Sequence, residues 1–102
     1  MDEQQRVAVF VEEHDLAIPP AYRLLDLHSE VGELAKDAAE STGYGESPDD
    51  LTIESDEIGD ALFALLALAE SLDVDAGEAL DEALEKYRER MDDSGSPGSG
   101  GR

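Results

Sequence analysis

The chain has no cysteine and no long hydrophobic segment, and both absences narrow the class of protein it can be. Without cysteine it forms neither disulfide bonds nor thiolate metal sites, although the redox compartment stays open. Its apolar run from Ala61 to Ala69 has nine residues, which is too few to cross a bilayer. The polar, acidic N-terminus predicts no signal peptide, so we expect a cytoplasmic protein with no membrane partner.

Basic residues are scarce, because seven lysines and arginines stand against 27 acidic residues and give a formal net charge of -20. A surface with this charge repels nucleic-acid backbones and anionic lipid, so neither is an expected partner. It also repels itself at low ionic strength, where charges are poorly screened. With only two lysines, Lys36 and Lys86, the composition indicates a halophilic protein made for a salt-rich interior.

The hydrophobic pattern predicts an all-α fold, because apolar residues recur three and four positions apart and nowhere alternate as they do in strands. Residues 1–92 form a single predicted domain. After Asp92 the composition becomes rich in glycine and serine, which predicts a disordered tail over 93–102. The predicted helices cover about 2–13, 21–40, 51–72 and 76–92, with a loop at 41–50 and Asp75 as the cap of the fourth helix.

The third predicted helix is apolar nearly all round between Ala61 and Ala69, so it needs cover on every side. Three other short helices are not enough to guarantee that cover, even though the fourth is expected to turn its own apolar face inward. The residues of that face are Leu80, Ala83, Leu84, Tyr87 and Met91. We therefore predict a four-helix protomer that shares its core in a homo-oligomer, either a dimer or a tetramer.

A short pattern of acid, β-branched residue, glycine and acid occurs twice, once in each of two predicted helices. The copies are Glu30-Val-Gly-Glu33 and Glu57-Ile-Gly-Asp60. Acids three positions apart are neighbours on one helix face, and both pairs border the predicted core. A glycine inside a helix costs about 1 kcal/mol relative to alanine. We interpret both glycines as points where two helices approach closely and bring the four carboxylates together.

Four clustered carboxylates raise each other's pKa values and need a counter-ion. Ligation by oxygen alone points to Mg²⁺, or to Mn²⁺, rather than to zinc. The alternative is a solvated helix face, since close pairs of acids arise often by chance in such an acidic chain. Acids in the first turn of a helix also interact favourably with its dipole. The doubled pattern with matching glycines favours the metal site.

The order and spacing of these residues resemble a known family. Glu30-x-x-Glu33, then 23 residues, then Glu57-x-x-Asp60 is similar to the signature of the MazG-type, all-α nucleoside triphosphate pyrophosphohydrolases. The resemblance runs from about Leu24 to Arg90 and includes Gly-Glu-Leu at 32–34 and Gly-Asp-Ala-Leu-Phe at 59–63. It implies an Mg²⁺-dependent enzyme that hydrolyses nucleoside or deoxynucleoside triphosphates to the monophosphate and pyrophosphate, clearing the nucleotide pool.

The resemblance also implies roles for individual residues. Four acids become the metal ligands and the catalytic set: Glu30, Glu33, Glu57 and Asp60. Either one of them or a neighbour, Glu54 or Asp56, would orient the attacking water. Substrate phosphates would meet Lys36, Lys86 and Arg90, although Tyr87 stands where the family often has asparagine. The alternative for the basic residues of the last helix is charge that complements the helix dipole.

Two other functions remain open from the residues. A relative that hydrolyses phosphoribosyl-ATP would share all four acids, so only a substrate panel separates it from a nucleoside triphosphate hydrolase. A non-enzymatic, acidic helical oligomerisation module would instead have no saturable site for Mg²⁺ or Mn²⁺.

Overall fold

A computed structural model describes residues 1–95, and in that range the chain consists of helices, turns and irregular segments without a strand. The predicted all-α fold with four helices is confirmed. A short 3₁₀ turn, Pro48–Asp50, lies in the connection between the second and third helices. The helices are α1 (Glu3–Glu13), α2 (Pro20–Ser41), α3 (Ser55–Ser71) and α4 (Ala76–Ser94).

Local capping chemistry explains where three of the helices begin. Asp2 and Gln5 form a reciprocal capping box at the start of α1, with each side chain accepting the other residue's backbone N–H. Proline opens α2, where its missing N–H costs nothing. The side chain of Asp75 accepts the backbone N–H of Glu78 at 2.9 Å, so the predicted cap of α4 is confirmed.

Two predicted boundaries differ from the structure. Helix α3 begins at Ser55 and not near residue 51, because the 3₁₀ turn and a hydrogen bond from Thr52 N–H to Ser41 Oγ hold the preceding segment against the end of α2. Helix α4 continues through Ser94 and ends at Gly95, whose left-handed φ of 73° suits glycine. Residues 96–102 lie outside the described range, so most of the predicted tail stays a prediction.

Helix α3 is the centre of the protomer and packs against both α2 and α1. Its side chains supply the buried apolar core, Ala64, Leu66 and Ala67. At one end of this core the ring of Phe63 meets Phe10 of α1 edge-on, with 5.9 Å between ring centroids. The core is small for a chain of this length.

The predicted enclosure of the apolar run is not provided by one protomer. Leu62 and Leu65 on α3 remain 45% and 48% exposed. The prediction that α4 turns its apolar face inward is wrong within the protomer, because Leu80 is 57% and Met91 49% exposed. The reason is that α4 projects away from the other helices. The radius of gyration is 16.6 Å, whereas a compact chain of this length has about 13 Å.

No helix in the described range is long and apolar enough to span a membrane.

Arg23 is the charged side chain that the described fold buries. It is only 7% exposed. Its guanidinium donates a hydrogen bond to the carbonyl oxygen of Leu16, so it ties α2 to the connection that follows α1. A buried cation held in this way stabilises the fold only while the acceptor is in place.

We predict that Arg23→Ala lowers the free energy of unfolding by about 2 kcal/mol, because it removes a charge-assisted hydrogen bond and the packing of the arginine stem. The measurement is urea denaturation at high salt. Arg6→Ala is the matched control, because Arg6 pairs with Glu3 at 2.9 Å on the exposed surface and such pairs contribute at most about 1 kcal/mol. Equal losses in the two variants would contradict a structural role for Arg23.

Candidate active site

The candidate site lies along the contact between α2 and α3. The carboxylate of Glu30 is within electrostatic range of Asp60, and the side chain of Asp37 bonds to that of Glu57. Asp37 follows Glu30 along α2, whereas its neighbour Glu57 precedes Asp60 along α3. The two helices therefore run antiparallel. This arrangement places acidic side chains from both helices along one seam.

The first group of acids surrounds Glu30. Glu30 and Asp60 line a cavity of about 210 Å³ together with Asp26, Arg23, Phe63 and Ala64. Burial is the main cause that raises the pKa of Glu30, and repulsion from Glu33, Asp60 and Asp26 raises it further. The cavity therefore combines apolar side chains of α3 with three acids that outnumber its one cation, Arg23.

The second group of acids surrounds Glu57. A hydrogen bond from Asp37 is the main cause that raises the pKa of Glu57 from 4.5 to about 7, followed by burial and by repulsion from Asp37, Asp56 and Glu54. The proton that Glu57 keeps in this pH range relieves the repulsion from its acidic neighbours. The cavity beside them measures about 390 Å³ and is lined by Asp37, Glu40, Ser41, Thr52, Glu54 and Glu57.

Glu57 also leaves one polar atom without a partner. Its Oε2 is buried and makes no hydrogen bond among the described residues. Buried carboxylate oxygens are nearly always paired, because an unpaired one loses its hydration without replacement. This oxygen is therefore available to a proton donor or a cation.

Asp37 is the site residue that sequence reasoning missed. It lies on α2, four residues after Glu33 and on the same helix face. Extending the spacing of Glu30 and Glu33 by one further turn would have found it. Because it is the partner of Glu57, Asp37 belongs with the other candidate acids.

The structure brings the acids together as two groups and not as one compact cluster. Glu33 is exposed, whereas Glu30 and Glu57 are half-buried. Among residues 1–95, no three histidine, aspartate or glutamate side chains lie close enough to hold a metal ion between them. The convergence of all four predicted ligands therefore stays a prediction.

The interpretation of the two glycines is wrong. A Cβ built at Gly32 or at Gly59 would meet no atom within 4 Å, so α2 and α3 do not approach each other there. Gly59 instead lines an apolar groove of about 490 Å³ between α1 and α3, together with Phe10, Leu62 and Leu66. The two helices meet through larger side chains, and these glycines face open space.

The predicted phosphate contacts do not lie in either acidic cavity. Lys36 is exposed on α2, and Lys86 lies 5.6 Å from the ring centroid of Tyr87 on the projecting helix α4. Arg90 is half-buried on that same helix. The basic residue that does line an acidic cavity is Arg23, which the predictions did not assign to the site.

The donor chemistry of the two groups fits a divalent cation. Every candidate ligand is a carboxylate oxygen, which Mg²⁺ and Mn²⁺ prefer. The buried Oε2 of Glu57 lacks a partner among the described residues, and repulsion from neighbouring acids contributes to the raised pKa values of Glu30 and Glu57. A bound cation would relieve both conditions.

Comparison with known proteins agrees with this geometry. The family model for the MazG nucleotide pyrophosphohydrolase domain matches residues 21–94, a range that contains both acid pairs and all of α3. An uncharacterized protein of Bacillus subtilis (strain 168), YpjD, is 40% identical over 79 residues, which cover 72% of this chain and 68% of that protein. No solved structure matches the chain.

The fold and the site define an all-α protein in which an antiparallel helix pair presents acids from both helices along one seam. The match over residues 21–94 adds the family: the chain belongs to the MazG nucleotide pyrophosphohydrolase domain family.

The raised pKa of Glu57 predicts a pH-dependent stability. The pKa of Glu57 is about 7 in the folded protein, against 4.5 for an unperturbed glutamate. Between these two pH values the folded state holds a proton that the unfolded chain has lost, so the free energy of unfolding falls as the pH rises through this range. In EDTA at constant high salt, we expect the unfolding temperature to fall less with rising pH for Glu57→Gln than for the wild type. Glu12→Gln on the exposed surface of α1 is the control and should keep the wild-type slope. Equal slopes of unfolding temperature against pH for all three proteins would refute the raised pKa of Glu57.

Proposed function

We propose that this protein is an Mg²⁺-dependent nucleoside triphosphate pyrophosphohydrolase that converts a nucleoside or deoxynucleoside triphosphate to the monophosphate and pyrophosphate. The observation that carries the proposal is the family match over both acid pairs, which lie on α2 and α3, two helices that pack on each other. Clearance of unwanted nucleotides from a salt-rich cytoplasm is the predicted role.

The proposed ligands for Mg²⁺, or for Mn²⁺, are Glu30, Glu33, Glu57 and Asp60. When bound, the ion would neutralise the phosphates and stabilise the charge that develops on the phosphoryl oxygens as a Lewis acid. Without such a cation, a chain with a net charge of -20 would repel a triphosphate. Asp37, as the hydrogen-bond partner of Glu57, would fix the orientation of that carboxylate.

Water attacks the α-phosphorus in the proposed reaction, and the bond between this phosphorus and the oxygen bridging to the β-phosphorus breaks. The electron pair of that bond leaves with pyrophosphate. Glu54 and Asp56 are the candidates to take the proton of the water, because both lie within electrostatic range of Glu57. Glu54 also lines the cavity beside Asp37 and Glu57. Lys36, Lys86 and Arg90 are the proposed contacts of the phosphate oxygens.

The test is pyrophosphate release from a panel of NTPs, dNTPs and phosphoribosyl-ATP, with Mg²⁺ at high salt. We expect Glu57→Gln and Asp60→Asn each to lower kcat/KM by about 100-fold or more, because each removes a charged ligand at the reacting phosphate. Glu13→Gln, an exposed acid on α1, is the matched control. Full activity in both site variants, or no hydrolysis of any substrate in the panel, would rule the proposal out.

A homo-oligomer remains part of the proposal. Exposed apolar side chains on α3 and α4, including Leu62, Leu65, Leu80 and Met91, form surfaces that one protomer leaves uncovered. A second copy that covers them would complete the core and would bring a second α4, with its Lys86 and Arg90, to the assembly. Whether two or four copies assemble is decided by measurement.

We predict that Leu65→Glu shifts the assembly towards monomers, because it places a charge in the apolar surface that the second copy buries. Light scattering coupled to gel filtration at high salt measures the mass. Leu51→Glu is the matched control, because Leu51 is similarly exposed, at 53% against 48% for Leu65, but lies outside the helices. A wild-type protein that is monomeric at all concentrations would contradict this prediction.

A further inference from the structure

The turn between α3 and α4 is held by a side chain from the other end of the sequence. The amide nitrogen of Gln4, on α1, donates hydrogen bonds to Glu70 Oε1 at 3.0 Å and to the carbonyl oxygen of Val74 at 2.8 Å. Its Oε1 accepts the backbone N–H of Ala76 at 2.7 Å. One side chain therefore bridges the last turn of α3, the turn itself and the first residue of α4.

This set of bonds uses the specific chemistry of an amide. Two donors and one acceptor are needed on one side-chain terminus, and glutamine supplies them whereas glutamate or lysine does not. The N–H of Ala76 lies in the first turn of α4, where a backbone donor has no acceptor within the helix. Asp75 caps the N–H of Glu78, so Gln4 and Asp75 satisfy two different donors at the same helix end.

Within one protomer, the rest of α4 has little else to hold its direction. Its apolar residues stay partly exposed, with Leu80 at 57% and Tyr87 at 39%, and its packing on the other helices is slight. The turn before it contains Asp73 in a left-handed conformation with φ of 55°. A helix that packs weakly takes its direction from the residues that fix its first turn.

We propose that Gln4 is a positioning residue that fixes the direction in which α4 leaves the helical core. The consequence for catalysis rests on the proposed function, because Lys86 and Arg90 lie on α4 and are there assigned to substrate phosphates. Helix α1 would then act on substrate binding from a distance, through the bonds of Gln4 to Val74 and Ala76, without contact with the reacting groups.

The direct test measures the distance between α1 and α4. The chain has no cysteine, so spin labels on cysteines introduced at the exposed positions Glu13 and Glu89 report that distance in the full chain by pulsed electron paramagnetic resonance. Labelled protein is diluted into unlabelled protein so that only distances within one protomer are read. We expect a narrow distance distribution for the wild type and a distribution broadened by several ångströms for Gln4→Met.

Gln5→Met is the matched control, because Gln5 lies on the same helix and its side chain bonds only locally, to the N–H of Asp2. It should keep the wild-type distribution. Gln4→Glu loses both donors and faces Glu70 with a like charge, so its distribution should be the broadest. Adding Glu70→Gln returns a donor to that contact, and the double variant should recover part of the narrow distribution.

Kinetics give an independent readout. In Gln4→Met, KM for the triphosphate should rise about fivefold while kcat stays near the wild-type value. A fivefold rise corresponds to a loss of about 1 kcal/mol in the free energy of substrate binding. If the wild type hydrolyses no nucleotide, the proposed function fails, while the distance measurement still decides the role of Gln4.

An unchanged distance distribution in Gln4→Met would overturn the proposal. If Gln4→Met does not fold, hydrogen exchange of the wild type decides it instead. The Ala76 backbone amide and the Gln4 side-chain amide should then exchange more slowly than freely solvated amides. Exchange of both at the solvent rate would overturn the proposal.

Discussion

The arrangement depends most on acids that face each other where α2 packs on α3. Asp37 and Glu57 lie within hydrogen-bonding distance, and Glu30 is near both Glu33 and Asp60. Repulsion at these distances must be relieved by a proton, by dissolved salt or by a bound cation. Few basic side chains are available, since the chain has seven against 27 acids. The packing of α2 on α3 forms the protomer, and it also brings together acids that need a positive counter-charge.

The small core makes this demand more severe. The described fold buries three apolar side chains, all on α3, and leaves many large ones partly exposed. Stability from such a core is limited, because it scales with the apolar area removed from water. A protomer with this balance gains from anything that covers apolar surface or screens charge. The proposals of a salt-rich setting and of a homo-oligomer rest on the acidic composition and on the uncovered faces of α3 and α4.

Helix α1 contributes more than its position suggests. It precedes residues 21–94, the range that matches the family model. Nevertheless Phe10 closes one end of the core against Phe63, and Gln4 fastens the turn that begins α4. Helix α1 therefore joins the core to the projecting helix. The family region supplies the acids, and α1 supplies contacts that orient elements of that region.

Much of the fold was predictable because its causes are local. Periodic apolar residues predicted four helices, and Asp75 predicted the cap of α4. The local pattern did not predict the start of α3. A hydrogen bond from Thr52 to Ser41 holds the residues before Ser55 outside the helix. Such a contact joins residues eleven positions apart, which no helical period reveals.

The order of the four acids, together with the residues around them, indicated the family and the two helices that carry the candidate site, because residue type and helical spacing are properties of the sequence. Only the tertiary structure decided which acids meet. It paired Glu57 with Asp37, buried Arg23, and left Gly32 and Gly59 open. The reason is that contacts across two antiparallel helices depend on their register and rotation, which the spacing within either helix does not specify.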